Sequence, residues 1–323
     1  MRRFFRELFK FSLVQALVLG VALAVFFGAP NKHHYFASAR DKQARLESLE
    51  GERLIIVGDS GGAYGIYSPI LDEHFPDREP VNMALMAAVG LPTMLAEVRN
   101  ELRPGDVVVL VLAYHHFDRY IPSWEFFNYT AYRPDMIFTK PMREWPEFGK
   151  IGFFFFQRAT RALVRYFTIG PHQPKKPPLH YEGFNEYGDL VAHHNMEPLA
   201  NLDFAMDDLS LSKDGHAKYT ARMLNRFAAD AEARGAQVFL LLPSVSESTW
   251  ERNGEVLRRI EQFENNNLDF PILNQGEEVV YPDSDFFDTY YHLTGEAAKR
   301  RTEFLAERLK AYLDHAEKSA PAN

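Results

Sequence analysis

The sequence predicts an α/β domain with a central, mostly parallel β-sheet, carried behind one N-terminal transmembrane helix. Three observations point there. Short apolar runs rich in β-branched residues, Leu54 to Val57 and Val107 to Leu112, are bounded by Gly and read as buried strands. Helix-patterned stretches alternate with them, which is the mark of a parallel sheet. Ahead of both, Phe11 to Ala29 contains no charged residue and only Ser12 and Gln15 as polar interruptions.

At about 1.5 Å per residue, that apolar run is just long enough to cross a hydrocarbon core of roughly 30 Å. Arg2, Arg3, Arg6 and Lys10 precede it against the single acid Glu7. A positive flank stays on the cytoplasmic side. The expectation is a single-pass protein of the inner (cytoplasmic) membrane, anchored through residues 11–29, with its globular part extracytoplasmic or periplasmic. The rival is a cleaved signal peptide. Ala37-Ser38-Ala39 is a small-residue site of the right type, but it lies well beyond the apolar run.

The division that follows is residues 1–30 as basic end and anchor, 31–52 as a polar juxtamembrane linker or helix, 53–316 as the α/β domain, and 317–323 as a tail. Gly65 to His74 read as helix, ended by the Pro76 and Pro80 cluster, with Val81 to Ala84 a short strand or turn. Residues 91–103 read as an amphipathic helix with Pro92 in its first turn. Residues 115–200 break the rhythm and are rich in Tyr, Phe, Trp and Pro, so they are expected to be an insertion forming a cap or substrate wall. Inside them, Ile151 to Phe167 has a helical pattern with Arg158, Arg161 and Arg165 on one face, either a basic outer face or a membrane-surface helix. The α/β rhythm returns with a helix over His216 to Arg234, a strand over Val238 to Leu242, a helix over Trp250 to Asn267, a short strand at Pro271 to Leu273, and a last helix over Gly295 to Ala316. Thr294 is the candidate N-cap of that last helix.

Composition narrows the chemistry. The net charge of −8 argues against a general nucleic-acid partner. With no cysteine, disulfides, thiolate metal sites and a Cys nucleophile are excluded. Adjacent His115-His116 and His193-His194 are poor metal pairs, because neighbours on an extended segment face opposite ways. No metal and no cofactor is expected.

The stretch with the clearest chemistry is Gly58-Asp59-Ser60-Gly61-Gly62, at the end of the first strand and the start of a helix. There a Ser hydroxyl is exposed and its own N–H faces any bound anion. The glycines are expected to permit a tight turn, with positive φ where needed. The bland reading is a helix N-cap. As Gly-x-Ser-x-Gly the stretch matches the nucleophile elbow of α/β-hydrolases, but that elbow normally follows several strands. As Gly-Asp-Ser-Gly-Gly it matches chymotrypsin-like proteases, which need His and Asp ahead of Ser on a β-barrel. Neither position fits.

Gly-Asp-Ser after the first strand, together with Asp288-Thr289-Tyr290-Tyr291-His292 just before the last helix, resembles the SGNH (GDSL) hydrolases over about residues 53–115 and 210–315. That resemblance implies a flavodoxin-like three-layer sandwich. It also implies Ser60 as nucleophile, His292 as its base, and Asp288 orienting His292. A parallel sheet brings these together, since its strand C-termini share one edge. The departures are specific. Asp288 and His292 have three residues between them where the family has two, so a bulge or helical turn is needed to keep their bond. Asn82-Met83-Ala84 stands where the family places an oxyanion Gly, leaving the Ala84 N–H for that role. The family's Gly-x-Asn-Asp block is absent, and Tyr114 or His115 would have to replace its Asn.

With these departures and the anchor, the chain resembles the membrane-anchored subgroup of SGNH-like proteins in bacterial envelopes. The implied function is a serine esterase or O-acyltransferase acting on acyl esters, acetyl foremost, of a cell-envelope carbohydrate polymer, in some cases beside a membrane-bound acyltransferase. The alternative is a non-catalytic SGNH-like protein that binds polysaccharide or scaffolds such an acyltransferase. Asn185, Tyr187 and Asp189 are candidates for substrate contact or, more simply, for a turn. The aromatic residues of 117–170 read as cap packing or as sugar-stacking surface.

Overall fold

A computed structural model of the chain describes residues 1–28, 30–119, 125–140, 178–199, 209–211 and 215–319, with isolated positions among 142–168. Strands β1 (Glu52–Gly58), β2 (Arg78–Asn82), β3 (Val107–Val111) and β4 (Gln237–Leu241) form one sheet, in the order β2-β1-β3-β4, with every pairing parallel. Every residue of β3 is buried. A parallel strand covered on both faces reads as an unbroken apolar run, which is why Val107 to Val111 carry no alternation. Pro271 to Leu273 add only a bridge, Leu240 to Ile272, beside β4. A separate two-stranded pair joins β5 (Val245–Ser246) to β6 (Val280–Tyr281).

The described helices are α1 (Arg2–Gly28), α2 (Ser38–Ser48), α3 (Ser60–Gly65), α4 (Ser68–His74), α5 (Leu91–Arg99), α6 (His115–Asp118), α7 (Glu125–Thr130), α8 (His216–Glu232), α9 (Glu247–Asn267) and α10 (Gly295–Ser319). Helix α10 packs on α3 and α4, and α8 packs on α5, α6 and β4. The helix expected over Gly65 to His74 is two helices. Pro69 opens α4 as a new first turn, and the Tyr67 N–H between the two is taken by Thr302 Oγ1 at 2.9 Å. The final helix runs to Ser319, past the expected start of the tail. The expected helix over 151–167, with Arg158, Arg161 and Arg165, lies outside the described residues.

Within α1, an 18-residue stretch of Arg2–Ala24 reaches a mean hydropathy of 1.7, and the helix is long and apolar enough to cross a membrane. Its Phe4, Phe9, Leu13 and Leu17 are exposed, with no protein covering them. Residues 31–52, expected to be a juxtamembrane linker or helix, hold helix α2 and are built into the domain. Tyr35, Phe36, Ala39 and Leu46 are buried in the core. Lys42 of α2 is also buried, and its ammonium donates to the carbonyls of Asn82 (2.8 Å), Ala84 (2.8 Å) and Gly188 (2.5 Å). Three acceptors satisfy its three donors. Arg53 of β1 pairs with Asp106 at the foot of β3 and donates to Leu46 O of α2 at 2.8 Å.

Candidate active site

Strands β1 and β3 are neighbours, yet the chain leaves β1 toward β2 on one side and reaches β3 on the other. Their C-terminal ends therefore flank a topological switch point, where ligands of open α/β sheets bind. Ser60 is the first residue of α3, directly above that point. The turn is pinned by Asp59. Its carboxylate accepts from Gly61 N (2.9 Å), from Ala113 N beyond β3 (2.6 Å) and from His116 Nε2 (3.2 Å). Burial pushes the Asp59 carboxyl up, but these bonds outweigh it and hold the group below its ordinary value.

The glycines of the turn serve close approach, not left-handed backbone. None of Gly58, Gly61 and Gly62 has positive φ. A Cβ on Gly58 would lie 2.0 Å from Val111 O, and one on Gly62 would lie 2.8 Å from Ala84 Cβ.

The second half of the site is the loop 286–293. An antiparallel bridge between Phe286 and Leu293 closes its base, and Phe287 N donates to His292 O at 2.8 Å. Thr289 Oγ1 accepts from His292 N at 3.2 Å, which folds the tip into a turn. This turn absorbs the extra residue between Asp288 and His292. His292 Nδ1 lies 2.7 Å from Asp288 Oδ1. A carboxylate only accepts, so this bond puts the proton on Nδ1 and leaves Nε2 with its lone pair. His292 Nε2 is buried and has no hydrogen-bond partner among the described residues. At the end of the loop, Thr294 caps α10 through Ala297 N (3.4 Å).

A tyrosine joins the halves. Tyr64, one helical turn beyond Ser60, stacks on the His292 ring at 4.0 Å with planes 2° apart. Tyr291 packs edge to face on the His292 ring at 4.7 Å, and burial pushes its phenol pKa well up. Tyr64 rises from the same short helix that Ser60 begins, so its stacking brings the His292 ring to that helix. The return of the insertion walls the loop. Leu190 N bonds Ala63 O at 3.1 Å, and Leu199 N bonds Phe287 O at 2.8 Å. His193, from the same segment, packs on Tyr64 at 4.6 Å, and burial lowers its pKa to about 3, so it is neutral.

No protein-family model and no curated protein sequence matches this chain.

The remaining residues singled out in the sequence fall as follows. Asn82 Oδ1 accepts the Ala84 N–H at 3.0 Å, and Asn82 Nδ2 donates to Asp189 at 2.9 Å. The Ala84 amide, expected to face an oxyanion, is therefore already engaged. Tyr114 is turned away from Ser60, its hydroxyl bonded to Glu261 of α9 at 2.9 Å. His115 lies against Tyr290, ring centroids 6.4 Å apart, at the rim of the same loop. Asn185 Oδ1 accepts from Tyr187 N and Asp189 N, so that trio forms a turn. Asp189 is buried, bonding Ser68 and Asn82. His193 and His194 meet edge to face, and among the described residues no group of three or more His, Asp or Glu is placed to hold a metal.

Sequence reasoning placed His116 at the edge of this crevice but missed Asp59, Tyr64 and Tyr291. Tyr64 had a usable signal, since four residues past Ser60 is the same helix face. Tyr291 had only its adjacency to His292. The Asp59–His116 pair needed the β1–β3 neighbourhood, which one sequence does not reveal.

Proposed function

We propose that the chain is a membrane-anchored, SGNH-like serine esterase or O-acyltransferase working outside the cytoplasm on acyl esters of an envelope carbohydrate. The observation that carries it is Asp288 on His292 Nδ1 with Nε2 buried and unpartnered among the described residues, in a loop stacked on the helix that Ser60 begins. The strand order β2-β1-β3-β4, which runs as a flavodoxin-like sheet does, and Ser60 at its switch point support the same reading.

In this mechanism Ser60 Oγ attacks the ester carbonyl carbon as His292 Nε2 takes the hydroxyl proton. The carbonyl π pair moves onto its oxygen, giving a tetrahedral oxyanion. On collapse the ester C–O bond breaks and His292 returns the proton to the departing alcohol, leaving an acyl-Ser60. Water, or a sugar hydroxyl, then repeats the sequence in reverse. Asp288 holds the imidazole tautomer and stabilises the imidazolium. The attack requires Ser60 Oγ to come within hydrogen-bond reach of His292 Nε2, a tightening that resting sites commonly leave to substrate binding.

Because His292 Nε2 makes no hydrogen bond to Ser60 or to any other described residue, a second reading is also favoured, a non-catalytic carbohydrate-binding protein on the same fold. One experiment separates them. The full-length protein in detergent is expected to hydrolyse an activated acetyl ester and to take a fluorophosphonate label on Ser60. Ser60→Ala is expected to lose both, with activity down at least about 10³-fold. Undiminished activity in Ser60→Ala sinks the nucleophile, and a wild-type protein that neither labels nor turns over leaves the binding reading.

A further inference from the structure

We infer that Tyr64 is a positioning residue of this site, its π face holding the His292 ring and stabilising the imidazolium that forms when His292 takes the Ser60 proton. The inference rests on the serine-nucleophile reading above and adds to it a residue that acts through His292.

The stack is close and flat. The Tyr64 and His292 ring centroids are 4.0 Å apart with planes 2° from parallel, which puts the imidazole over the phenol face and not at its edge. A cation over an aromatic face at this range is attracted by the ring quadrupole. The Tyr64 face therefore favours the protonated form of His292 over the neutral one. Its place is fixed from several sides. Tyr64 is buried in α3, and the two bonds that hold that helix, Leu190 N to Ala63 O at 3.1 Å and Arg301 Nη1 to Gly61 O at 3.0 Å, flank it. Burial raises the Tyr64 phenol pKa, so the hydroxyl stays protonated and the ring neutral.

The groups around the His292 ring divide the work. From its own loop, Asp288 Oδ1 meets Nδ1 at 2.7 Å and Tyr291 packs edge to face at 4.7 Å. From α3, Tyr64 covers a face. From the return of the insertion, His193 packs on Tyr64 at 4.6 Å, and burial lowers its pKa to about 3. His193 is thus neutral at the pH where His292 works, and it places no second cation beside the imidazolium. When Ser60 Oγ bonds the ester carbonyl carbon and its proton passes to Nε2, positive charge spreads over the whole imidazole ring. Asp288 meets that charge in the ring plane at Nδ1, and Tyr64 meets it across the face. The charge leaves again when Nε2 returns the proton to the departing alcohol. No proton leaves Tyr64 at either step.

The test uses the full-length chain in detergent as wild type, Tyr64→Phe and Tyr64→Leu. Two readouts are taken. One is the titration of His292 in ¹³C-histidine-labelled protein, its signal assigned by loss in His292→Gln. The other is the pH profile of kcat/KM on an activated acetyl ester. Tyr64→Phe keeps the π face and is expected to match wild type in both. Tyr64→Leu removes the face, so His292 takes a proton less readily. Its titration midpoint and the acidic limb of the profile are expected to move together to lower pH by roughly 0.4–1.5 units, with kcat down about 3–30-fold and little change in KM. Should Tyr64→Leu not fold, difluoro- and pentafluorophenylalanine at position 64 withdraw π density at nearly constant shape, and the midpoint is expected to fall stepwise with fluorine number. A midpoint fixed through that series, or a lower kcat with an unmoved acidic limb, overturns the inference, while a fluorophosphonate label on Ser60 in the same samples leaves the nucleophile standing. A midpoint that shifts in a protein that neither labels nor turns over supports the stack and overturns the esterase reading.

Discussion

Asp288 and His292 are separated by one more residue than the family pattern has, yet their bond is kept because Thr289 folds the intervening residues into a turn. The role this assigns to Asp288 is testable. Asp288→Asn keeps shape and burial but offers an amide N–H as readily as an oxygen, so it no longer enforces the Nδ1–H tautomer. Activity is expected to fall about 10⁴-fold with an unchanged circular dichroism spectrum. A variant within tenfold of wild type would remove Asp288 from the mechanism. At this scale the sequence yielded Ser60, Asp288 and His292, because a strand-end Gly-Asp-Ser and an Asp/His loop before a helix are local patterns. It did not yield the oxyanion donors. Whether the Ala84 N–H is free depends on the rotamer of Asn82, and whether the Tyr114 hydroxyl reaches the site depends on Glu261 of α9. Those facts are tertiary, and no spacing encodes them.

Helix α3 is short, and it is held in place by α10. Buried Arg301 of α10 donates from Nη1 to Gly61 O and from Nη2 to Leu242 O, each at 3.0 Å. One guanidinium thus ties the turn bearing Ser60 to the segment after β4, and through α10 to the Asp288/His292 loop directly ahead of it. A planar fork serves both carbonyls at once, which a single ammonium does less well. Arg301→Lys is expected to lower stability by about 1–3 kcal/mol, read as a lower urea midpoint at unchanged slope. An unchanged midpoint would show that the two bonds contribute nothing net. The sheet strands and the long helices were legible as apolar runs and amphipathic periods. The split between α3 and α4 was not, because the contact of Tyr67 N with Thr302 that separates them spans most of the domain. That the span 31–52, read as a linker or helix, belongs to the domain was not legible for a related reason. Its surface is charged, and Tyr35, Phe36, Ala39, Leu46 and Leu49, scattered among polar residues, reach the core.

Across the whole molecule, two buried ionisable groups give stability an unusual pH profile. Burial raises Glu97 from its ordinary 4.5 to about 7, with the Tyr129 hydrogen bond and the nearby Arg133 charge opposing the shift. The folded protein keeps a proton there that the unfolded chain has lost, so stability falls as pH rises from about 4.5 to about 7. Burial lowers Lys42 from 10.5 to about 7, so the folded protein has shed a proton that the unfolded chain retains. Stability from this group therefore rises with pH from about 7 to about 10.5. Their sum has its minimum near pH 7. Thermal unfolding in detergent across pH 4 to 10 is expected to show a fall and then a rise, and Glu97→Gln is expected to flatten the acidic limb alone. An acidic limb of equal slope in that variant would mean other carboxylates set it. The Lys42 contact has a mechanical side as well. Because the domain's contacts begin at Asn31, whose carbonyl accepts from Tyr132, the chain between it and Gly28 is only a few residues long, a leash of roughly 10 Å at full stretch. On the anchored reading the domain does not range through the envelope. It works within one bilayer's shadow, on polymers met as they emerge at the membrane surface.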